Sequence, residues 1–250
     1  MIALGLIGHP LGHSFSPRLF ASLFEQDGIA EGSYRLFDLT PRQLTAYDLR
    51  QLVDSQRLSG FNVTVPYKEA VVTLLDTLDE MAARIGAVNT VKVERGILKG
   101  YNTDAPAFAD TLKPLLRPHH RRALILGSGG AAKAAACALR ELGVEYSLVS
   151  RTPHGDDMIG YDEAYRRAGQ CLLIVNATPV GMHPHDDLSP WAEPQFLTPQ
   201  HLCYDLVYNP SPTRFLREAA AMGATTIGGL AMLERQATLS WKIWKTHCTE

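Results

Sequence analysis

The feature that most constrains this chain is a glycine-rich turn at residues 127–132, which reads Gly-Ser-Gly-Gly-Ala-Ala. It follows a short apolar run, opens an alanine-rich segment of helical character, and precedes a second strand-like run that ends near Val149. This order fits the dinucleotide fingerprint G-x-G-x-x-G/A, because Gly127 permits a tight turn and Gly129 lets a pyrophosphate approach the backbone. Ala132, in the last position, lets the helix pack closely on the strand. The sequence therefore predicts a Rossmann-like fold that binds a dinucleotide.

The structural alternative is that these glycines only let a helix pack closely against a strand. The strand–turn–helix–strand order favours the nucleotide site, because the phosphates then meet unpaired amides at a helix N-terminus. The positions expected to contact the nucleotide in this turn are Gly127, Ser128, Gly129, Gly130 and Ala131.

The segment after the second strand, Ser150 to Thr152, indicates which nucleotide is bound. An enzyme that uses NAD usually has an acidic residue there, which binds the ribose 2'-hydroxyl, whereas a guanidinium suits the 2'-phosphate of NADP. We therefore expect Ser150, Arg151 and Thr152 to bind NADP. The alternative for Arg151 is a solvated surface charge.

Alternating strand-like and helix-like segments predict an α/β protein of two domains. We expect an N-terminal α/β substrate domain, formed by residues 1–104 and 229–250, and a Rossmann-like NADP-binding domain with a parallel sheet at residues 105–228. In the first domain, strands are predicted at 2–7, 34–39 and 61–65, helices at 17–26, 41–53 and 68–78, and a hairpin at 88–101 that turns near Arg95 and Gly96. A last apolar-periodic helix is predicted at 230–244.

Composition excludes several classes of function. The chain of 250 residues has 26 acidic and 24 basic side chains, a formal net charge of −2, so no positive field attracts nucleic acid or an anionic membrane. No apolar stretch approaches the roughly 20 residues of a membrane helix. The 4 cysteines form no Cys-x-x-Cys pair, which indicates reduced thiols and a cytoplasmic protein. His183 and His185 lie in a proline-broken loop without metal-type spacing, and no metal is expected.

Four short polar motifs contain groups suited to a small polyhydroxylated acid. Hydroxyls can bind a carboxylate, amides can donate and accept hydrogen bonds towards ring hydroxyls, and a lysine–aspartate pair can transfer a proton. Taken singly, each residue has a structural explanation: Lys68 as a solvated charge, Asp104 or Ser14 as a helix cap. Asn102 and Thr103 are interpreted as turn residues that hold Asp104. The candidates in these motifs are Ser14, Ser16, Asn62, Thr64, Lys68, Asn89 and Asp104.

Together with the glycine turn, these motifs resemble the shikimate dehydrogenase family, and the similarity covers nearly the whole chain. Eight motifs occur in the family's order: HSFSP, FNVTVPYK, GAVNT, GYNTD, GSGGA, NATPVGM, DLVYNPSPT and GLAMLERQA. The resemblance implies NADPH-dependent reduction of 3-dehydroshikimate to shikimate, in the biosynthesis of aromatic amino acids. It also implies a small-molecule substrate and a monomer or homodimer.

The resemblance assigns roles to individual residues. Ser14 and Ser16 would hold the substrate carboxylate with help from Tyr208, and Lys68 and Asp104 would be the catalytic pair. Asp104 also belongs to the group around the ring and its hydroxyls, with Asn62, Thr64, Asn89 and Gln236. Thr178, Val180 and Gly229 would lie beside the nucleotide, whereas Met232 and Leu233 are expected in the core. Many relatives have a second basic residue after Arg151, where this chain has Pro153-His154-Gly155, so the selectivity for NADP is less firmly based than cofactor binding.

Three alternatives stay open from the sequence. Lys68 can act as proton donor or as electrostatic anchor for the developing alkoxide. The chain can be a quinate/shikimate dehydrogenase that uses NAD. It can also be a non-catalytic nucleotide-binding regulatory protein, since fold alone does not determine function.

Overall fold

The computed structural model describes residues 2–40, 44–155 and 157–246. The chain divides into two compact units, one formed by Met1–Thr103 and Glu234–Glu250 and the other by Asp104–Leu233. The predicted boundaries followed residues 104 and 228, so Asp104 and residues 229–233 fall in the second unit rather than the first.

The first unit is built on a six-stranded mixed sheet. Its strands are β1 (Ile2–Gly8), β2 (Gly32–Asp38), β3 (Gly60–Val63), β4 (Thr77–Leu78), β5 (Thr90–Glu94) and β6 (Ile97–Tyr101), in the order β2-β1-β3-β5-β6-β4. β1 is parallel to β2 and β3, whereas β5 is antiparallel to β3 and β6. Three helices follow the strands of this part of the chain: α1 (Ser16–Gln26), α2 (Ala46–Gln56) and α3 (Glu80–Ile85).

The central strand β1 is buried on both faces of the sheet. Successive side chains of a strand point to opposite faces. Accordingly Ala3 and Ile7 belong to one apolar cluster with Phe61. Leu4 belongs to a second cluster, with Phe20 of α1 and other aromatic residues. An apolar run without polar alternation is thus the expected sequence for this strand.

The hairpin prediction is confirmed, and one helix prediction is wrong. β5 and β6 pair with Glu94 opposite Ile97, and both Arg95 and Gly96 have positive φ (51° and 78°), as a tight two-residue turn requires. The segment 68–78 is not an α-helix. It contains a short 3-10 helix, Ala70–Leu74, and then β4, which pairs with β6. Its β-branched residues and this pairing override the helical periodicity.

Helix starts also differ from prediction. α2 begins at Ala46, where Thr45 and Asp48 form a capping box; the predicted start at Pro41 lies outside the described residues. Ser16 is the first residue of α1, and Phe15, rather than Ser14, occupies the cap position. The oxygen of Ser14 accepts a hydrogen bond from the amide of Ser16 at 3.3 Å.

The second unit is a doubly wound parallel sheet, which confirms the predicted Rossmann-like fold. It contains α4 (Asp104–Leu112), β7 (Arg122–Leu126), α5 (Gly130–Glu141), β8 (Glu145–Val149), β9 (Met158–Ile159), α6 (Tyr161–Arg167), β10 (Leu173–Asn176), β11 (Leu202–Asp205), α7 (Arg214–Ala221) and β12 (Thr225–Ile227). The order is β12-β11-β10-β7-β8-β9. The chain runs outward through β7, β8 and β9, returns to the centre, and runs outward again through β10, β11 and β12. The switch point between β7 and β10 is where such sheets bind ligands.

The last helix, α8 (Leu230–Lys245), begins in the second unit and ends in the first. Its part in the first unit includes the buried residues Ala237, Ser240, Trp241 and Trp244. Trp244 donates a hydrogen bond from its indole nitrogen to the carbonyl of Val91 at 2.9 Å. Within the described residues, each helix is too short or too polar to cross a lipid bilayer.

Candidate active site

The glycine turn lies directly after β7, at the switch point of the parallel sheet. Gly127 has φ 111°, and its amide donates to the carbonyl of Val149 at 2.9 Å. A Cβ atom at this position would lie 3.1 Å from the side chain of Thr178 and 3.2 Å from the carbonyl oxygen of Ala177. Both the backbone angle and this close approach therefore favour glycine at residue 127.

The N-terminus of α5 suits the pyrophosphate of a dinucleotide. Gly129 is the cap residue and, as glycine, has no side-chain oxygen with which to satisfy the amides of the first turn. Ser128 and Gly129 are exposed, Gly130 and Ala131 are half-buried, and Ala132 is fully buried. Accessible backbone amides at the positive end of a helix dipole favour an anion. The residues present here therefore fit the predicted cofactor.

Arg151 lies two residues after the end of β8. It is exposed, and the amide of Thr152 donates to the hydroxyl of Ser150 at 3.2 Å, which closes a small turn. Burial raises the pKa of Tyr161, and the nearby charge of Tyr165 adds to this, whereas the positive charge of Arg151 opposes it. The positive charge of Arg151 thus lies close enough to the start of α6, at the carboxyl end of the sheet, to influence Tyr161.

The loop after β10 is held by the side chain of Asn176. Its oxygen accepts hydrogen bonds from the amide and the hydroxyl of Thr178, at 3.0 and 2.6 Å. The hydroxyl of Thr178 in turn accepts from the amide of Val180 at 3.2 Å. Thr178 and Val180, both predicted to contact the nucleotide, are half-buried. The turn of this loop is thus determined by side-chain hydrogen bonds to the backbone.

A buried carboxylate, Asp205 at the end of β11, connects this loop to the next one. It accepts from the amide nitrogen of Asn176 at 2.8 Å, from the backbone amide of Val207 at 2.9 Å, and from the hydroxyl of Thr213 at 2.6 Å. Burial raises the pKa of Asp205 from 3.8 to about 6, and these three hydrogen bonds limit the rise. At neutral pH the group is mainly ionised, because its pKa stays below 7.

In the first unit, Asn62 occupies the centre of a buried polar network. Its amide nitrogen donates to the carbonyl of Asn89 at 3.0 Å and to the hydroxyls of Thr90 and Ser240, both at 3.1 Å. Its oxygen accepts from the hydroxyl of Tyr34 at 2.8 Å. An amide has two N–H donors, and three acceptors already surround them. A ligand hydroxyl would therefore bind Asn62 through the remaining lone pair of its oxygen.

Asn89 extends the same network. Its oxygen accepts from the backbone amide of Thr103 at 2.8 Å, and its nitrogen donates to the hydroxyl of Thr103 at 2.8 Å and to the oxygen of Gln236 at 3.5 Å. Thr90 and Ser240, whose hydroxyl oxygens are 2.7 Å apart, are fully buried behind these groups. The structure thus brings three predicted substrate residues, Asn62, Asn89 and Gln236, into one connected set.

The sequence analysis missed part of this network. Tyr34, Thr90 and Ser240 were not singled out, and Thr103 was interpreted as a turn residue. The hydroxyl of Ser16 belongs to the set as well, because it forms a hydrogen bond with Tyr34 that opposes the strong rise of the tyrosine pKa caused by burial. Ser240 lies four residues after Gln236 on α8, which is the one local indication in the sequence that the two share a helix face.

The remaining predicted residues are distributed over both units. Ser14, Thr64 and Lys68 are half-buried in the first unit. The carbonyl of Lys68 accepts from the amide of Val88 at 2.8 Å, so its backbone is fixed beside the segment that contains Asn89. Asp104 and Tyr208 both lie in the second unit. Asp104 is the first residue of α4 and is buried, whereas Tyr208 is half-buried. The pairing of Lys68 with Asp104 stays a prediction.

Other predicted features are placed as follows. Gly229 is buried at the start of α8, where a Cβ atom would meet the backbone of Leu206. Met232 is buried and Leu233 half-buried. Within residues 2–40, 44–155 and 157–246, no group of three or more potential metal ligands is found.

Comparisons with known proteins agree with one another. Residues 6–91 match the model of the shikimate dehydrogenase substrate binding domain. The chain is 40% identical to a shikimate dehydrogenase (NADP(+)) of Caldanaerobacter subterraneus subsp. tengcongensis, over 96% of this chain and 90% of the relative.

Solved structures give the same result. Shikimate 5-dehydrogenase from Thermus thermophilus, in complex with NADP(H) and shikimate, matches with a TM-score of 0.86 and 39% identity, over 98% of this chain and 94% of that one. Quinate dehydrogenase from Corynebacterium glutamicum, in complex with NAD, matches with a TM-score of 0.83 and 29% identity, over 98% and 93% of the two chains.

The raised pKa of Asp205 predicts a pH dependence of stability. The folded protein holds this proton more tightly than the unfolded chain does, so the stabilisation is present below pH 3.8 and is lost as pH rises through about 6. The free energy of unfolding of the native protein, measured as its difference from that of Asp205→Asn, should fall by roughly 3 kcal/mol between about pH 3 and about pH 7. This figure takes about 1.4 kcal/mol per pKa unit.

Urea denaturation at a series of pH values measures this difference. A difference between native protein and Asp205→Asn that does not change with pH would contradict the prediction.

Proposed function

Because this chain belongs to the shikimate dehydrogenase family, we propose that it catalyses the reversible NADPH-dependent reduction of 3-dehydroshikimate to shikimate. The observation that supports this most directly is the combination of two features in one chain. One is a nucleotide-type glycine turn at the switch point of a parallel sheet, and the other is a buried set of amide and hydroxyl groups in the first unit. The reaction belongs to the biosynthesis of aromatic amino acids, and we place the enzyme in the cytoplasm, as a monomer or homodimer.

We assign the nucleotide to the carboxyl end of the parallel sheet. The amides of the 127–131 turn would bind the pyrophosphate, and Arg151, with Ser150 and Thr152, would bind the 2'-phosphate. Thr178 and Val180 would line the path of the nucleotide along the loop after β10, and Gly229 would allow close approach at the start of α8. NADPH, when bound, supplies the hydride that reduces the ketone.

We assign the substrate to polar groups of the first unit and to Tyr208. Ser14, Ser16 and Tyr208 would donate hydrogen bonds to the carboxylate. Thr64, Asn89 and Gln236 would bind the ring hydroxyls, and the oxygen of Asn62 would accept a hydrogen bond from one of these hydroxyls. The network behind these groups fixes their orientation before substrate arrives, which lowers the entropy cost of binding.

Lys68 and Asp104 would carry the proton chemistry. Hydride addition to the ketone carbon places negative charge on the ketone oxygen, and the ammonium of Lys68 stabilises this charge. The alcohol forms when that oxygen takes up a proton, from the ammonium of Lys68 if the lysine is the donor or from water if the lysine is only an electrostatic anchor. Asp104 orients the lysine or the reacting hydroxyl.

A two-substrate, two-cofactor assay tests the proposal. We expect shikimate with NADP⁺ to give the fastest increase in nicotinamide absorbance among the four pairings of shikimate or quinate with NADP⁺ or NAD⁺. Faster oxidation of quinate with NAD⁺ would support the quinate dehydrogenase alternative, and nucleotide binding without turnover would support the regulatory one.

Substitution of the proposed catalytic lysine gives a second prediction. Lys68→Ala should lower kcat for shikimate oxidation by roughly 10²-fold or more, the usual contribution of a general acid–base group. The control is Lys242→Ala, at an exposed lysine of the same unit, which should keep native kcat. A Lys68→Ala enzyme with native turnover would exclude the role assigned here.

A third prediction concerns the nucleotide. Arg151→Ala removes the permanent positive charge after β8, so it should raise KM for NADP⁺ by about tenfold to a hundredfold, whereas KM for NAD⁺ should change little. Arg140→Ala, at an exposed arginine of α5, is the matched control. Equal effects on both nucleotides would show that Arg151 does not recognise the 2'-phosphate.

A further inference from the structure

Two loops leave the carboxyl ends of neighbouring strands next to the switch point. β10 and β11 are adjacent and parallel, with Asn176 paired to Asp205 at their ends. The loop after β10 contains Thr178 and Val180, and the loop after β11 contains Tyr208. Both loops contain residues that the proposed function assigns to nucleotide or substrate, so any group that links them affects both ligands.

The side chains at these two strand ends form that link. The carboxylate of Asp205 accepts three hydrogen bonds, from Asn176 on the first loop and from Val207 and Thr213 on the second. Asn176, which Asp205 holds in place, in turn fixes Thr178, because the amide and the hydroxyl of Thr178 both donate to the asparagine oxygen. Asn176 also donates to the carbonyl of Val180 at 3.3 Å.

Only a carboxylate matches this arrangement of donors. One oxygen of Asp205 accepts from Asn176 and Val207, and the other accepts from Thr213. An asparagine in its place would turn its amino group either towards Asn176 and Val207, which then lose their acceptor, or towards Thr213, whose hydroxyl must then accept and give up its own acceptor. Asp205 and Asn176 are both fully buried, so water cannot replace the lost partner without rearrangement.

A buried charge is a costly way to join two loops. Removing a carboxylate from water costs several kcal/mol in real proteins, and well-packed apolar residues often stabilise a fold as well or better. The rise of the pKa of Asp205 to about 6 reports this cost. The arrangement is therefore better explained by the geometry it imposes on the loops than by stability.

We propose that Asp205 is a positioning residue which, through Asn176, fixes the loop at residues 176–182 in the conformation that binds NADP. This inference rests on the proposed function. Asp205 itself is too deeply buried to touch the nucleotide, and its effect passes through hydrogen bonds to Thr178 and Val180.

The test uses the full-length protein and measures the Kd of NADP⁺ directly by isothermal titration calorimetry, beside steady-state kinetics. Asp205→Asn should weaken NADP⁺ binding by about tenfold to a hundredfold, the range expected for one buried donor left without a partner. At saturating NADP⁺, kcat should fall by less than about threefold, because the interaction lost is made equally in ground state and transition state. Amide hydrogen exchange across 176–182 should accelerate in the free protein.

An exchange of the two side chains separates positioning from general damage. In the double variant Asn176→Asp with Asp205→Asn, the amide of residue 205 donates to the carboxylate of residue 176. The hydrogen bond between the loops then persists in the opposite direction, and the carboxylate still accepts from Thr178. The amide of Val207 and the carbonyl of Val180 each lose their partner in this variant, so the rescue is partial. The double variant should bind NADP⁺ at least about threefold more tightly than Asp205→Asn alone, which is a coupling that independent losses would not show.

Several outcomes would overturn the inference. These are native NADP⁺ affinity in a folded Asp205→Asn, or a double variant that binds no better than the single one. If Asp205→Asn does not fold, the Kd of NADP⁺ is measured for Asn176→Ala instead. This variant removes the hydrogen bonds of Asn176 to Thr178, while Asp205 keeps the donors of Val207 and Thr213. Native affinity in Asn176→Ala overturns the inference as well. The proposed function fails separately, if the native protein binds NADP⁺ but shows no shikimate-dependent reduction of it.

Discussion

The shared edge of the six parallel strands determines where chemistry can occur in the second unit. Because β7, β8, β10 and β11 all end at this edge, the residues that follow them are close to one another although they are far apart in sequence. The glycine turn, Arg151, Asn176 and Asp205 each come at or directly after such a strand end. The fold thus gathers the accessible amides of a helix N-terminus, a cation and a set of buried hydrogen bonds at one edge of the sheet.

The first unit organises its polar groups by a different rule, which is that buried donors and acceptors must be satisfied. Asn62 and Asn89 are buried, and most of their capacity is used by Tyr34, Thr90, Thr103 and Ser240. What is left for a ligand is a small number of lone pairs and hydroxyls in fixed orientation. Under the function proposed above, the substrate would be recognised by the few positions that stay available, and a ligand hydroxyl in the wrong place would meet a group that is already paired.

The sequence predicted the glycine turn, the helix that follows it and the apolar strands on either side, because these are local patterns that depend on neighbouring residues. It also predicted the hairpin, whose turn at Arg95-Gly96 is equally local. It failed at 68–78, where pairing of β4 with β6 overrides helical periodicity. It could not have found the contact of Asn62 with Ser240, since these residues are 178 positions apart and nothing local marks a serine that bonds across that distance.

The path of the chain through α8 has a consequence for how the protein is made. The second unit is continuous from Asp104 to Leu233, whereas the first is completed by residues that come after it. Leu4, Phe20 and Phe24 share their apolar cluster with Ala237, Trp241 and Trp244, at the far end of the chain. During synthesis, the strands and helices of residues 2–103 must therefore keep these aromatic surfaces uncovered until residues 237–244 have been made, while the second unit, which is encoded between them, can already fold.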